Sequence, residues 1–535
     1  MTARTAPGSR MTPRAGRLAS AALLLSASLI LSRVLGVVRT AVIADVFGNG
    51  RPINAYFAAF RIPDTMFTLV SGGALAAAFV PVFAGLLGTG TARDERAAWR
   101  VASTVFNSVA IALAAMAVVS FVLAPEIMGF LAGGSGFTAS QRALSVDLTR
   151  IMLLQPIFLG ASAVVTAVLQ SYRRFVLTAI APLLYNVSVI IGALLGRSHG
   201  VVGLSWFVVI GAAAQFAVQI PGLGRELRNR YRLEIDRNLP EAREVLHLFI
   251  PRMIGLAAFQ GMLFVTLYLA TRLPPWALGA FNYSWLLIAF PVAALGTASA
   301  TAIFPTLSQL SAHDEVEAIR RTVNRSLRFV LFLAVPAAVG LLVLRRPIID
   351  LLYNHGAWGY LDTEHAAFAL LFLALAIPPL ASIEILPRVF YAMRDTVTPV
   401  RIAIVAVVLD AGFSILLVHL VPRDSGQGGL ALATAIATLV QAVWLVVALD
   451  SRLGGIGRAS LAGTLRDTVI ASAVMGLALY VMLDPFTAVL PQRGIGALVT
   501  VVFEVGVGLA TFGASAYLLG APELWEVWDL VARRK

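Results

Sequence analysis

The chain has no cysteine, and only 13% of its 535 residues are charged. The first absence excludes a disulfide framework and any thiolate metal site. The second is half of what a soluble domain carries, about 25%. There is no Gly-x-Ser-x-Gly elbow, no phosphate-binding Gly-rich loop ending in Lys-Ser/Thr, and no paired-acid metal motif, so neither a hydrolase nor an ATP-driven pump is expected. The six histidines, His199, His247, His313, His355, His365 and His419, never share a helix face at ligand spacing.

What remains is apolar. Hydrophobic residues make up 59% of the chain, and mean hydropathy is +0.85. Apolar runs of about 20 residues, enough to cross a bilayer, recur throughout. They are near-continuous rather than alternating, so they read as helices. The expected fold is an all-α polytopic membrane protein with about fourteen spans: 18–47, 53–87, 99–124, 143–170, 175–196, 201–221, 246–271, 276–309, 325–345, 365–391, 398–421, 428–449, 466–484 and 495–519. The basic start leading into an apolar run is like a signal peptide, but the run continues into a long span, so no cleavage is expected.

The net charge of +13 reads as positive-inside loops rather than as a nucleic-acid surface. Arg4, Arg10, Arg14 and Arg17 precede the first span, Arg320, Arg321, Arg325 and Arg328 follow the eighth, and Arg533, Arg534 and Lys535 end the chain. This pattern predicts both termini in the cytoplasm, and a bacterial inner (plasma) membrane is the expected location. Arg345 and Arg346 break the pattern. An internal repeat aligns Gly129–Arg173 with Asp350–Arg394 at an offset of 221, and Pro81 with Pro305 at 224. An even number of spans per half makes the repeat parallel. The expected organisation is an N-terminal tail 1–17, a lobe 18–221, a basic linker 222–245, a lobe 246–449, two extra spans in 450–520, and a C-terminal tail 521–535. The linker reads as an amphipathic surface helix or as a charge-paired connector.

Charges sit where membrane helices avoid them: Arg33, Arg39, Asp45, Arg61 and Asp64. Intramembrane charges face a wet cavity or a partner. Arg33 and Arg39 lie about 120° apart around one helix and can border one wide cavity. Forked guanidinium donors suit an anion such as a pyrophosphate. The alternative is that Arg33 and Arg61 snorkel, or pair with Asp45 and Asp64. Glu384 and Arg388 share a face across Pro387, either beside a cavity or as a self-neutralising pair. Asp410 and Ser414, with Thr434, are candidate ligands for a coupling cation, although one carboxylate is a thin set for a hard ion. Glu504 is an isolated intramembrane acid.

The segments Ser32-Arg33-Val34-Leu35-Gly36-x-x-Arg39, Ala55-Tyr56-Phe57-x-x-Phe60-Arg61-Ile62-Pro63, Gly73-Ala74-x-x-x-x-Phe79-Val80-Pro81 and Arg388-x-Phe390-Tyr391-Ala392-x-x-Asp395-Thr396-x-Thr398-Pro399 resemble the MurJ/MviN family of lipid II flippases, within the multidrug/oligosaccharidyl-lipid/polysaccharide exporter superfamily. The resemblance implies two six-helix lobes around a V-shaped central cavity, a groove along the last two spans, and no enzymatic activity. It supports Arg33 and Arg39 as cavity arginines; with Arg61 they are the expected substrate-binding residues, and Ser32, Asp64, Glu384 and Arg388 are secondary cavity candidates. It further implies a polyprenyl-pyrophosphate-linked glycan as substrate, no cofactor, and Na+ or H+ as coupling ion. A monomer is expected, with cell-wall synthesis enzymes as partners.

Several family charges are replaced here, by Thr40, Asn54, Phe67, Gly72 and Leu286, and Thr266 stands where a cation-site carboxylate is expected. The open alternatives are a flippase for another polyprenyl-linked glycan, a drug or cation exporter, and, in another class, a membrane glycosyl- or acyltransferase or a wall-synthesis scaffold.

Overall fold

Without water to pair backbone groups, apolar runs close their hydrogen bonds within helices, and the computed structural model follows that rule. It describes residues 13–71, 74–88, 92–228, 230–236, 238–489 and 495–532. Arg4, Arg10, Gly72, Arg533, Arg534 and Lys535 lie outside the described residues, as do the side chains of Arg14, Arg17 and Arg93.

The first helices are α1 (Pro13–Phe47), α2 (Arg51–Ser71), α3 (Ala74–Gly88), α4 (Ala92–Val122), α5 (Ala124–Leu131), α6 (Ala139–Met152), α7 (Gln155–Ser171), α8 (Phe175–Ala217) and α9 (Ile220–Arg228). Then come α10 (Pro240–Ala270), α11 (Ala277–Pro291), a π-helical turn Val292–Thr297, α12 (Ala298–Ala312), α13 (Val316–Val343), α14 (Arg345–Tyr353), α15 (Tyr360–Leu373) and α16 (Ile377–Ala392). The chain continues through α17 (Val397–Leu420), α18 (Gly426–Leu453), α19 (Arg458–Val489), α20 (Ile495–Leu518) and α21 (Pro522–Ala532).

Among the described residues, every expected span falls largely on helix. By length and hydropathy, 10 helices among the described residues qualify as membrane spans, and Ala78–Leu87 and Phe259–Ala270 are shorter apolar helices. One long stretch, Phe175–Gly224, holds two expected spans, broken at Gly200, whose φ of 63° is open to glycine. α1 and α2, which carry the intramembrane charges, are not among the ten.

The chain packs as two compact units, 1–39 with 66–121 and 151–250, and 40–65 with 122–150 and 251–535. In the first unit, Phe79, Phe83, Trp99 and Tyr172 form an aromatic column, closed by a 3.0 Å bond from Trp99 Nε1 to the Tyr172 hydroxyl. The linker is docked here. Residues 230–236 run non-helical along α4, between α9 and the start of α10 at Pro240. Asn107 Nδ2 donates to the Arg232 and Glu234 carbonyls at 3.0 and 2.9 Å, Ser103 Oγ accepts from Arg232 N at 3.1 Å, and Arg100 pairs with Asp236 at 2.6 Å. The charge-paired connector is the form observed.

In the second unit, Tyr283 is fully buried against Phe57, Tyr353 and Trp358, and its hydroxyl donates to Gly48 O at 3.0 Å. α19 and α20 pack on α13 through Phe332, Met475, Leu479 and Phe512. The C-terminal segment forms α21, pinned by Glu523 to Arg328 at 2.6 Å and to Thr464 at 2.8 Å.

The repeat recurs bond for bond. Arg174 N donates to Leu169 O at 2.8 Å, and 221 residues later Asp395 N donates to Phe390 O at 2.9 Å. Each closure places an arginine at positive φ, Arg173 at 59° and Arg394 at 60°, an uncommon conformation outside glycine. Phe137 N to Gly134 O matches Trp358 N to His355 O. Gln141 Oε1 accepts from Thr138 N at 3.0 Å, as Asp362 Oδ2 accepts from Gly359 N at 2.9 Å; Thr138 Oγ1 also accepts from Gln141 N, completing a capping box that Gly359, without a side chain, cannot make.

The two loops are also seated alike, each on the first helix of the other repeat. Gly136 N donates to Thr271 O, past the end of α10, at 3.1 Å. Ala357 N donates to Asp45 O, at the end of α1, at 2.7 Å. Both seats need glycine. A Cβ on Gly136 would lie 1.6 Å from Leu273 O, and one on Gly356 would lie 2.2 Å from Asp45 O.

Candidate functional site

In the first unit, α1 meets the first half of α8. Asn186 Nδ2 donates to Ser32 Oγ at 3.3 Å. Arg33 is exposed. The Arg39 guanidinium stands 6.0 Å from the Tyr185 ring, the outer limit of a cation–π contact. Tyr185 in turn accepts at its hydroxyl from Gln155 Nε2 at 3.2 Å. Among the described residues, no carboxylate lies within 4.0 Å of Arg33 or Arg39.

In the second unit, Arg61 is largely buried, with 16% of its side chain exposed. It touches Asp64 at 4.0 Å and Asn282 at 3.4 Å, both long contacts, and its Nε has no partner among the described residues. Gln260, Thr65 and the Arg61 carbonyl form a hydrogen-bonded chain that ties this turn of α2 to α10. A buried guanidinium held this loosely is costly unless something else uses its donors.

The departures from the family pattern divide in two. Asn54 is fully buried, donating to Asn49 and to Gly50 O and accepting from Gly279 N at 2.6 Å. It joins the Gly48–Gly50 turn to α11, and a carboxylate there could not donate. Its role is architectural. Phe67 and Leu286 are half-buried and bring no charge.

Glu384 and Arg388 do pair, at 3.5 Å, and Arg388 also donates to Thr301 Oγ1 of α12 at 2.9 Å. The sequence reading missed Thr301 and the π-helical turn that follows Pro291. That turn brings Gly296 so close to α16 that a Cβ there would be 2.8 Å from Ala381 Cα and 3.1 Å from Glu384 Cγ. A proline and a glycine five residues apart were the available signal, since π-turns mark functional bends in helices.

Asp410, Ser414 and Thr434 are brought together between α17 and α18. Asp410 and Thr434 are fully buried, Ser414 nearly so, and their four side-chain oxygens have no partner among the described residues. Thr266 is buried too, but its hydroxyl donates to Met262 O. No cluster of three acidic, histidine or cysteine ligands exists among the described residues. The donor set is one carboxylate with hydroxyls, which suits a monovalent cation or a proton and not a multivalent metal.

Residues 43–491 match the family model described as Lipid II flippase MurJ. The chain belongs to the lipid II flippase MurJ family. It is 31% identical to the lipid II flippase MurJ of Burkholderia cenocepacia over 438 residues, covering 81% of this chain and 84% of that one. It is 29% identical over 524 residues to a probable lipid II flippase MurJ of Vibrio cholerae, covering 94% and 96%. The fold is similar to a solved lipid II flippase MurJ in an inward closed conformation, with a TM-score of 0.75, 20% identity, and 93% and 98% coverage. It is also similar to an inward-facing multidrug resistance MATE family transporter of the MOP superfamily, with a TM-score of 0.65, 14% identity, and 81% and 99% coverage. This family member is a multi-pass membrane protein. Arg61, Glu384, Arg388 and the Asp410 group lie inside the matched range, whereas Ser32, Arg33 and Arg39 precede it.

Proposed function

We propose that the chain carries lipid II, the lipid-linked peptidoglycan precursor, from the cytoplasmic to the outer leaflet of the bacterial cell membrane by alternating access. It works as a transporter and not as an enzyme, as a monomer with both termini cytoplasmic, alongside the enzymes of wall synthesis. The observation that carries the reading is a family match across most of the chain, joined to arginines within membrane helices that lack a tight carboxylate partner.

Arg33, Arg39 and Arg61 hold the pyrophosphate. The long contacts of Arg61 to Asp64 and Asn282 are weak enough for phosphate oxygens to replace, and a forked guanidinium meets a phosphate with two parallel donors. Asp64, Ser32 and the Glu384–Arg388 pair border the sugar path. The empty carrier keeps its cationic side chains, so the inside-negative potential assists its return by about 2.3 kcal/mol per charge per 100 mV. Asp410, Ser414 and Thr434 hold Na+ or a proton as the coupling ion.

The test is complementation. In a bacterium depleted of its own lipid II flippase, the native chain restores externally accessible lipid II. Arg39→Ala and Arg61→Ala lower it by about tenfold each, the size of one lost charge-assisted contact. Full rescue by both variants removes the arginines from the mechanism. Failure of a membrane-inserted native chain rejects lipid II as substrate and leaves another polyprenyl-linked glycan.

A further inference from the structure

α13 begins among Arg320, Arg321, Arg325 and Arg328 and ends against Arg345 and Arg346. One span therefore carries arginines at both ends, although loop arginines gather on the cytoplasmic side. The pair at the far end has no topological reason to be there. At that end the last turn of α13, the starts of α14 and α15, the end of α19 and the start of α20 surround a cavity of about 680 Å³. That is the size of a small-molecule pocket. Tyr360 and Tyr480, each 70% exposed, mark the depth at which aromatic side chains meet the headgroups.

The walls differ. Leu342, Val343, Leu483 and Val501 form an apolar side, and Arg345, Arg346, Asp350 and Glu364 form a charged one. Three of the four charges are spoken for. Arg346 pairs with Glu364 at 2.5 Å, and Asp350 Oδ1 accepts from Asn354 and Thr363 at 2.8 Å each. Arg345 is half-buried and, among the described residues, donates only to Leu342 O, at 2.7 Å, with no carboxylate within 4.0 Å. The rest of its donor fork is available to an anion.

We propose that this cavity binds the phosphate of an anionic phospholipid from the outer leaflet, at a site separate from the transported substrate. Arg345 holds the phosphate, Tyr360 and Tyr480 flank the headgroup, and an acyl chain continues over Val343 and Val501. A free phosphate shares the anionic chemistry but leaves the apolar wall bare.

The experiment titrates the purified full chain, in a neutral detergent, with phosphatidylglycerol and separately with inorganic phosphate. Thermal unfolding is followed, and retained lipid is counted by native mass spectrometry. Phosphatidylglycerol is expected to protect the native chain and to be retained, with inorganic phosphate ineffective. Arg345→Ala should shift the protection midpoint about tenfold, Arg345→Lys should keep most of the protection, and Arg321→Ala at the opposite end of α13 should change nothing. Equal protection of Arg345→Ala and the native chain overturns the site. So does a native chain that retains no phosphatidylglycerol, a result that stands even if Arg345→Ala does not fold. Equal protection by inorganic phosphate replaces the lipid with a soluble anion and overturns the proposal as stated.

Discussion

Substituting Gly136 by alanine tests the seat on which the 133–137 loop rests. The added Cβ would stand 1.6 Å from Leu273 O, 2.8 Å from Leu273 C and 2.9 Å from Thr271 O. All three are backbone atoms, so no side chain can rotate away, and the loop must lift by more than an ångström. Lifting loses the Gly136 N to Thr271 O bond, worth about 1 kcal/mol, and overpacking costs about 1–3 kcal/mol. A seat weakened by about 2 kcal/mol opens about 30-fold more often. Amide hydrogen exchange reads this directly, because the peptide covering 133–137 should exchange faster by that factor in the variant. The peptide covering 354–358 should be little changed, since its own seat on Asp45 is intact. Gly340→Ala, where a Cβ meets nothing within 4 Å, is the neutral control. Unchanged exchange at 133–137 in a folded Gly136→Ala protein would falsify the close-approach argument.

Two further outcomes follow from buried and capping carboxylates. Burial pushes the Asp395 carboxyl up, but hydrogen bonds from Thr398 Oγ1 and N, the Arg452 guanidinium and Val397 N outweigh it and hold the group below the usual carboxylate range. Its stabilising effect is therefore complete above about pH 4 and fades as pH falls through the lowered value. Asp395→Asn keeps an oxygen for the Val397 and Thr398 amides but loses the charge that pairs with Arg452, so it should cost up to about 1 kcal/mol at neutral pH, with the cost shrinking in acid. Thermal unfolding of both proteins across that range checks the sign, and a cost that grows in acid contradicts it. At the α17–α18 site, sodium chloride should stabilise the native chain over choline chloride, and Asp410→Asn should abolish the difference. Without sodium, the variant should be at least as stable, because it removes a buried carboxylate that has no cationic partner among the described residues. A native chain indifferent to sodium rejects the sodium assignment.

Local patterns carried most of the fold. Apolar runs located the long helices but not the short α5, α14 and α21, the glycine–proline turn after Phe47 was where the backbone turned, and the 221-residue repeat is reproduced in the closures at Arg173 and Arg394. The Arg-x-Phe-Tyr-Ala…Asp-Thr-x-Thr-Pro element became intelligible as a closing turn followed by a cap: Asp395 accepts from Val397 N, Thr398 N and Thr398 Oγ1. What stayed hidden depends on residues far apart in the chain. The sequence marks Asn54 as a position without the family's charge, but what the amide does there becomes visible only when α2 meets α11 and brings Gly279 to it, beside Asn49. The docking of 230–236 rests on Ser103, Thr104 and Asn107, which look like ordinary polar interruptions of an apolar helix. The second partner of Arg388, besides Glu384, is a threonine 87 positions away. Helical periodicity carries no information about such pairings.

The exchanged loop seats bear on how the chain can be divided. Each repeat supplies a loop whose resting place, Thr271 or Asp45, belongs to the other, the kind of reciprocal contact that two copies of a shorter ancestor would make across a two-fold axis. A gene fragment encoding one repeat leaves a carbonyl without its donor and a glycine-flanked amide without its acceptor, so half-transporters are incomplete at the same two points. Split between the repeats and co-expressed as separate polypeptides, the fragments have in those seats a built-in means of finding each other.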